Sequence, residues 1–204
     1  MKIGSKYKIA KRLGASVFEK TQTQKFALAA ERSAMNKKRG RGRGATEFGK
    51  QLLEKQKVRL TYGLSERQFG NYVKAAMASK DMSPVEALHR SLEMRLDNIM
   101  YRLGVAPTRR AARQMVSHGH ITVNGTKTTI PSRRIYIGDT IAVRAGSKEA
   151  NLFANFAEKF AERPLASWLS WNAQSMEGGV TEFPTAESAG PAGDLVTVVS
   201  FYSR

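Results

Sequence analysis

Apolar residues step by three or four positions from Val85 to Leu103 through Leu88, Leu92, Leu96 and Ile99, the strongest periodicity in the chain. That spacing predicts an amphipathic helix. Ser83 as N-cap, Pro84 at the first helical position and Glu86 completing a capping box start it, and Gly104 ends it. At about twenty residues it is long for a globular helix, so it either serves two domains or breaks near Arg90. A shorter helix follows in TRRAARQMVSHG, capped by Thr108 and stopped by Gly119, with Ala111, Ala112, Met115 and Val116 facing inward. The period then changes to two. ITV and TKTTI alternate around Asn124-Gly125, the pair preferred in type I′ hairpin turns, and Ile135–Ile137 and Ile141–Val143 predict further short strands joined by Gly138-Asp139.

Upstream, Leu53, Val58 and Leu60 predict a helix that Gly63 stops. Ser65 with Gln68 forms a second capping box, followed by Phe69, Val73, Ala76 and Met77 at helical spacing. Residues 1–35 show no long helical stripe. The run NKKRGRGRGATEFG, 36–49, spaces glycine between arginines and predicts a backbone too flexible for a free helix. Downstream, Leu152 or Phe153, Phe156 and Phe160 predict a helix with an aromatic stripe, and Pro164, Trp168 and Trp171 read as packing anchors. Residues 177–194 read as loop, and LVTVVSFY predicts a terminal strand that needs a partner.

Charge changes the picture. The 204 residues carry a formal net charge of +17, which favours polyanionic partners. Residues 1–60 hold 17 Lys and Arg against 4 Asp and Glu, and 61–149 hold 14 against 7, whereas 150–204 hold 3 against 6. The basic surface therefore belongs to the N-terminal two-thirds. No apolar run approaches the ~18 residues of a membrane span, and the first residues lack the apolar stretch of a signal peptide, so no membrane partner is expected. The absence of cysteine excludes disulfides and thiolate metal sites and fits a reducing compartment.

Little else offers chemistry. His118 and His120 flank Gly119 without a third ligand, so no metal site is expected. No nucleophile–base pair or nucleotide-binding loop is present, so catalysis is not expected. Asp97, beside the apolar stripe, reads as a structural partner for a nearby arginine rather than a catalytic group. Tyr62 and Tyr72 read as packing at a core edge. In the basic arm, 1–48, Lys8, Lys11 and Arg12 read either as a frayed tail or, as the total charge favours, as an arm that orders against phosphates, and Lys37, Lys38, Arg39, Arg41 and Arg43 either as a solvated loop or localisation signal or as a run that follows a phosphate backbone closely. Lys55, Lys57, Arg59, Arg67 and Asn71 on the following helices are further candidates for phosphate contact.

Three blocks then carry a resemblance. LLEKQKVRLTYGLSERQFGNYVKAA at 52–76, RLDNIMYRLGVAPTRRAARQMVSHGHITVNG at 95–125, and MEGG at 176–179 resemble the bacterial-type small-ribosomal-subunit protein four (S-four) family, in order and over essentially the whole chain. The resemblance implies an α+β architecture: a mostly helical first domain with an inserted S-four RNA-binding domain, two helices packed on a small antiparallel sheet. It divides the chain into a basic arm (1–48), the helical part of domain one (49–91), the S-four domain (92–150), and a C-terminal helix, loop and strand returning to domain one (151–204). It implies a cytoplasmic, non-catalytic ribosomal protein that binds small-subunit rRNA early in assembly and organises its five-prime domain. It also implies contacts with small-subunit protein five, other ribosomal proteins and messenger RNA, and an influence on translational accuracy. The RNA-contacting positions it implies in the S-four domain are Thr108, Arg109, Arg110, Arg113, Gln114, Ser117, His118, Asn124 and Lys127. Relatives that bind zinc do so through N-terminal cysteines. This chain has none, so no metal or other cofactor is expected.

Overall fold

In the computed structural model of the chain, residues 4–14, 17–18, 21–39, 46–150, 153 and 165–203 are described, except for the side chains at 30, 33, 34 and 36–39. In chain order the helices are α1 (Lys6–Leu13), α2 (Gln24–Arg39), α3 (Glu47–Thr61), α4 (Glu66–Met77), α5 (Pro84–Glu93), α6 (Leu96–Arg102), α7 (Arg109–Ser117), α8 (Ala186–Ala189) and α9 (Leu195–Tyr202). The strands are β1 (Ile121–Val123), β2 (Thr126–Thr128), β3 (Thr140–Val143), β4 (Leu169–Asn172) and β5 (Glu177–Val180). They belong to two compact units: Met1–Lys80 with Pro191–Arg204, and Asp81–Gly190.

The first unit is helical. Thr46 caps α3 by accepting from Gly49 N at 3.2 Å, and Ser65 with Gln68 forms the expected capping box on α4. α9 packs on both α3 and α4, where Val58, Phe69, Val73, Leu195 and Val198 are buried. Ala10, Leu13, Phe18, Phe26 and Leu60 form a second apolar cluster with α1. Two expectations are corrected here. The arm is largely helical: α2 runs through Arg39, so the start of the Lys/Arg/Gly run is helix, whereas 40–45 lie outside the described residues. The terminal LVTVVSFY segment is also helix, not strand. Asp194 caps it by accepting from Thr197 N at 3.0 Å, and Leu195 and Val198, three apart, point inward while Val196 stays exposed.

The second unit packs helices on one antiparallel sheet of order β2-β1-β3-β5-β4. The predicted long helix breaks at Met94–Arg95 into α5 and α6. Ser83 makes the N-cap bond to Glu86 N at 3.2 Å. Leu96, Ile99, Met100 and Leu103 from α6 and Ala112, Met115 and Val116 from α7 share a core with Ile121, Val123, Ile141, Val143 and Trp168. Burying these side chains, at about 1.5–3 kcal/mol each for the larger ones, dominates the unit's stability. Asn124 and Gly125 take φ of +52° and +76°, as a type I′ turn requires.

Three sequence expectations differ in this unit. Ile135–Ile137 is not a strand. Instead Arg134 makes an isolated bridge to Arg95, with Ile135 N donating to Met94 O and Leu96 N to Arg133 O, both at 2.9 Å. Residues 177–194, expected as loop, contain β5 and α8. β5 pairs with β3 (Ile141 opposite Gly178) and β4 with β5, so 169–180 completes this sheet rather than returning to the first unit. Of the helix expected around Phe156 and Phe160, only Phe153 lies within the described residues, and it is buried.

Candidate nucleic-acid interface

α7 starts where Thr108 accepts a hydrogen bond from Ala111 N at 3.0 Å and ends ahead of Gly119, whose φ of +73° only glycine adopts freely. Its inward residues leave two polar faces. Arg110, Gln114, Ser117 and His118 are exposed at i, i+4, i+7 and i+8, one continuous stripe. Lys127 of β2 joins the end of that stripe. A Cβ on Gly119 would strike the Lys127 side chain, so the glycine lets the lysine stem lie across the helix end.

The other polar face, Arg109 and Arg113, works inside the protein. Arg113 donates to Asp97 Oδ2 through Nε at 2.8 Å and Nη2 at 2.6 Å, and Arg109 Nε donates to Asn98 Oδ1 at 2.8 Å. The Arg109 guanidinium also lies 4.4 Å from the Tyr101 ring centroid. Asp97 and Asn98 are buried on α6 and are held in turn. Arg95 donates twice to Asp97, and Asn98 Nδ2 donates to Glu93 Oε2 at 2.8 Å. Glu93, fully buried, takes Arg102 as its ion-pair partner. Asp97 is therefore the structural partner that the sequence suggested, shared by two arginines. Arg95, Glu93, Asn98 and Arg102 were missed as a set, because only the break between α5 and α6 brings them together.

Several candidate positions change meaning. Asn124 donates to Asp139 Oδ1 and accepts from Thr140 N, both at 2.8 Å, so its amide also clasps the β1–β2 turn to the start of β3. Lys55 is buried, bonded to Glu66, with its ammonium 4.6 Å from the Phe201 ring centroid. That environment removes Lys55 from the exposed basic set. Arg59 is paired with Glu66 at 3.2 Å and bonded to Gln56 and Leu64 O, and half-buried Lys57 pairs with Glu54. Burial pushes the Glu66 carboxyl up, but the Lys55 bond and charge, the Arg59 charge and the Tyr202 hydroxyl together hold it below its ordinary value. Tyr202 is raised to about 12 by burial and by the Glu66 charge.

Lys8, Lys11 and Arg12 are exposed on α1, away from buried Ala10 and Leu13. Arg67 and Asn71 are exposed, four residues apart on α4. Tyr62 is buried and Tyr72 half-buried, in keeping with packing roles. The side chains of Lys37, Lys38 and Arg39, and all of Arg41 and Arg43, lie outside the described residues. No helix among the described residues is long and apolar enough to cross a membrane.

An exposed helix stripe that offers cations, hydroxyl and amide donors, backed by a buried ionic anchor, suits a nucleic-acid backbone better than a small-molecule pocket. Comparison with known proteins agrees with that geometry. The family described as Ribosomal protein S4/S9 N-terminal domain matches residues 1–93, and the S4 domain family matches 94–141. The Small ribosomal subunit protein uS4 of Roseiflexus castenholzii is 42% identical over 207 residues, covering 99% of this chain and 98% of the relative. The protein of the same name from Levilactobacillus brevis is 39% identical over 201 residues, 98% of each chain. That from Herpetosiphon aurantiacus is 45% identical over 166 residues, 80% of this chain and 78% of the relative. With family models matching residues 1–93 and 94–141 and relatives 42% and 39% identical over 99% and 98% of this chain, the chain belongs to the ribosomal protein uS4 family.

Proposed function

We propose that this chain is a non-catalytic, cytoplasmic structural protein of the small ribosomal subunit that binds its rRNA early and organises the five-prime domain. The observation that carries this reading is the Arg110–Gln114–Ser117–His118 stripe with Lys127, held in register by the Arg113–Asp97 and Arg109–Asn98 contacts. Arg110 and Lys127 supply charge-assisted bonds to phosphates. Gln114, Ser117 and His118 reach sugar hydroxyls or phosphate oxygens, which favours recognition of A-form shape over base edges. Lys8, Lys11, Arg12, Arg67 and Asn71 add exposed contacts that position the RNA. Contacts with small-subunit protein five and with messenger RNA where it enters the subunit, and through them an effect on decoding accuracy, complete the reading.

The test is filter binding of the full chain to transcribed small-subunit rRNA with no other protein present. Specific binding whose log affinity falls linearly with log salt is expected, because cationic contacts release counterions. Equal affinity for small- and large-subunit rRNA would refute the reading. A requirement for other proteins before any binding would refute the early role.

A further inference from the structure

The second unit holds a basic and aromatic cluster that the α7 stripe does not use. The bridge between Arg134 and Arg95, with the bonds that join 133–135 to Met94 and Leu96, sets Arg134 beside the last turn of α5. Arg90 lies in that turn, and its carbonyl accepts from Met94 N at 3.0 Å. The Arg90 guanidinium lies over the Phe183 ring, and that of Arg134 lies 5.4 Å from the Tyr136 centroid. Tyr136 and Phe183 are 57% and 40% exposed. Among the described residues neither arginine makes an ion pair, and Arg90 Nε is buried without a hydrogen-bond partner. Burial, then the charge of Arg134, holds Arg90 below the ordinary arginine value, with Glu86 opposing.

Two arginines on backbone segments joined by these bonds, each with a partly exposed ring beside it, have a complement in an anion that carries an aromatic group. A phosphate accepting from both guanidiniums offsets their repulsion, and the open part of the Tyr136 ring offers a stacking face. An acidic protein segment would supply the charge but would leave the tyrosine face uncovered. We infer that Arg90, Arg134 and Tyr136 bind one unpaired nucleotide of RNA, with its phosphate bridging the two guanidiniums and its base stacked on Tyr136. This deepens the rRNA-binding reading and rests on it. It adds a single-stranded contact to the shape-reading α7 stripe.

The test uses the full chain and transcribed small-subunit rRNA. Zero-length ultraviolet crosslinking with mass spectrometry is expected to place one nucleotide on Tyr136. The double variant Arg134→Ala/Tyr136→Ala is expected to bind about tenfold more weakly. It should also lose protection at that nucleotide and keep the protections due to α7. Tyr136→Phe, which preserves the ring, should bind as the wild type does. Arg110→Ala/Lys127→Ala should show the reverse pattern, losing α7 protections and keeping the crosslink. Absence of the crosslink in the wild type overturns the inference. So does unchanged affinity and footprint in a double variant that melts as the wild type does, even if the patch then captures an acidic peptide. Failure of the wild type to bind small-subunit rRNA overturns both readings, whereas loss of the crosslink alone overturns only this one.

Discussion

Arg113 on α7 and Asp97 on α6 are joined by two hydrogen bonds, at 2.6 and 2.8 Å, that fix the rotation of the helix presenting the exposed stripe. The same carboxylate is held by Arg95 at 3.0 and 2.8 Å, and Asp97 is only 2% exposed. Removing one partner of such a buried arrangement leaves uncompensated charge in a low-dielectric interior. Asp97→Ala is therefore expected to destabilise the protein by about 3–5 kcal/mol in urea unfolding. RNA affinity should fall along with it, because α7 loses its anchor.

The four basic positions around α7 should separate into two classes. Arg110→Ala with Lys127→Ala should weaken rRNA binding by roughly 1–3 kcal/mol and reduce the salt slope by about two. The same pair should leave the urea midpoint almost unchanged, since both side chains are exposed. Arg109→Ala and Arg113→Ala should instead shift the midpoint. Equal loss of affinity and no change of midpoint in all four would show that the inner bonds do not support the helix.

Acid should weaken the first unit through Glu66. Its carboxyl is lowered in the fold despite burial, through Lys55, Arg59 and Tyr202. A carboxylate with a depressed folded value contributes stability above its ordinary value of 4.5, and that contribution is lost as pH falls through the folded value. Glu66→Gln should therefore lower the melting temperature at pH 7, and the gap from the wild type should close as pH drops below 4.5. A gap that stays constant down to strongly acidic pH would contradict this account. Tyr202 gives the alkaline counterpart: raised to about 12, it favours the fold below pH 10 and ceases to do so as pH rises through about 12.

Gly178→Ala should damage the β4–β5 hairpin. A Cβ at Gly178 would overlap the Ser170 carbonyl oxygen and lie 2.8 Å from Trp171 Cα, both backbone atoms that cannot step aside cheaply. A loss of about 1–3 kcal/mol is expected, read as a lower urea midpoint, with Gly4→Ala, which meets nothing, as the neutral control.

Local signals were the legible part of the chain. The Ser65–Gln68 capping box, the Thr108 cap and the Asn124-Gly125 turn each depend on residues within a few positions, and each takes its expected form. LVTVVSFY was misread because a β-branched run satisfies strand propensity. The cap at Asp194 and packing against α3 favour helix instead. Ile135–Ile137 failed for a related reason: alternation marked an extended segment, but its backbone partners lie at the junction of α5 and α6. The exposed stripe could be read from helical spacing. The division of labour among Arg109, Arg110 and Arg113 could not, because it depends on how α7 is rotated against α6.

The sheet order has a consequence for biosynthesis. β3 has β1 on one side as soon as Val143 is made, but its other edge stays open until β5, beginning at Glu177, has been synthesised. Through that interval the nascent chain displays unpaired backbone donors and acceptors beside the apolar side chains of Ile141 and Val143. A fragment that ends after Val143 but before Glu177 keeps that open edge permanently and is prone to edge-to-edge association.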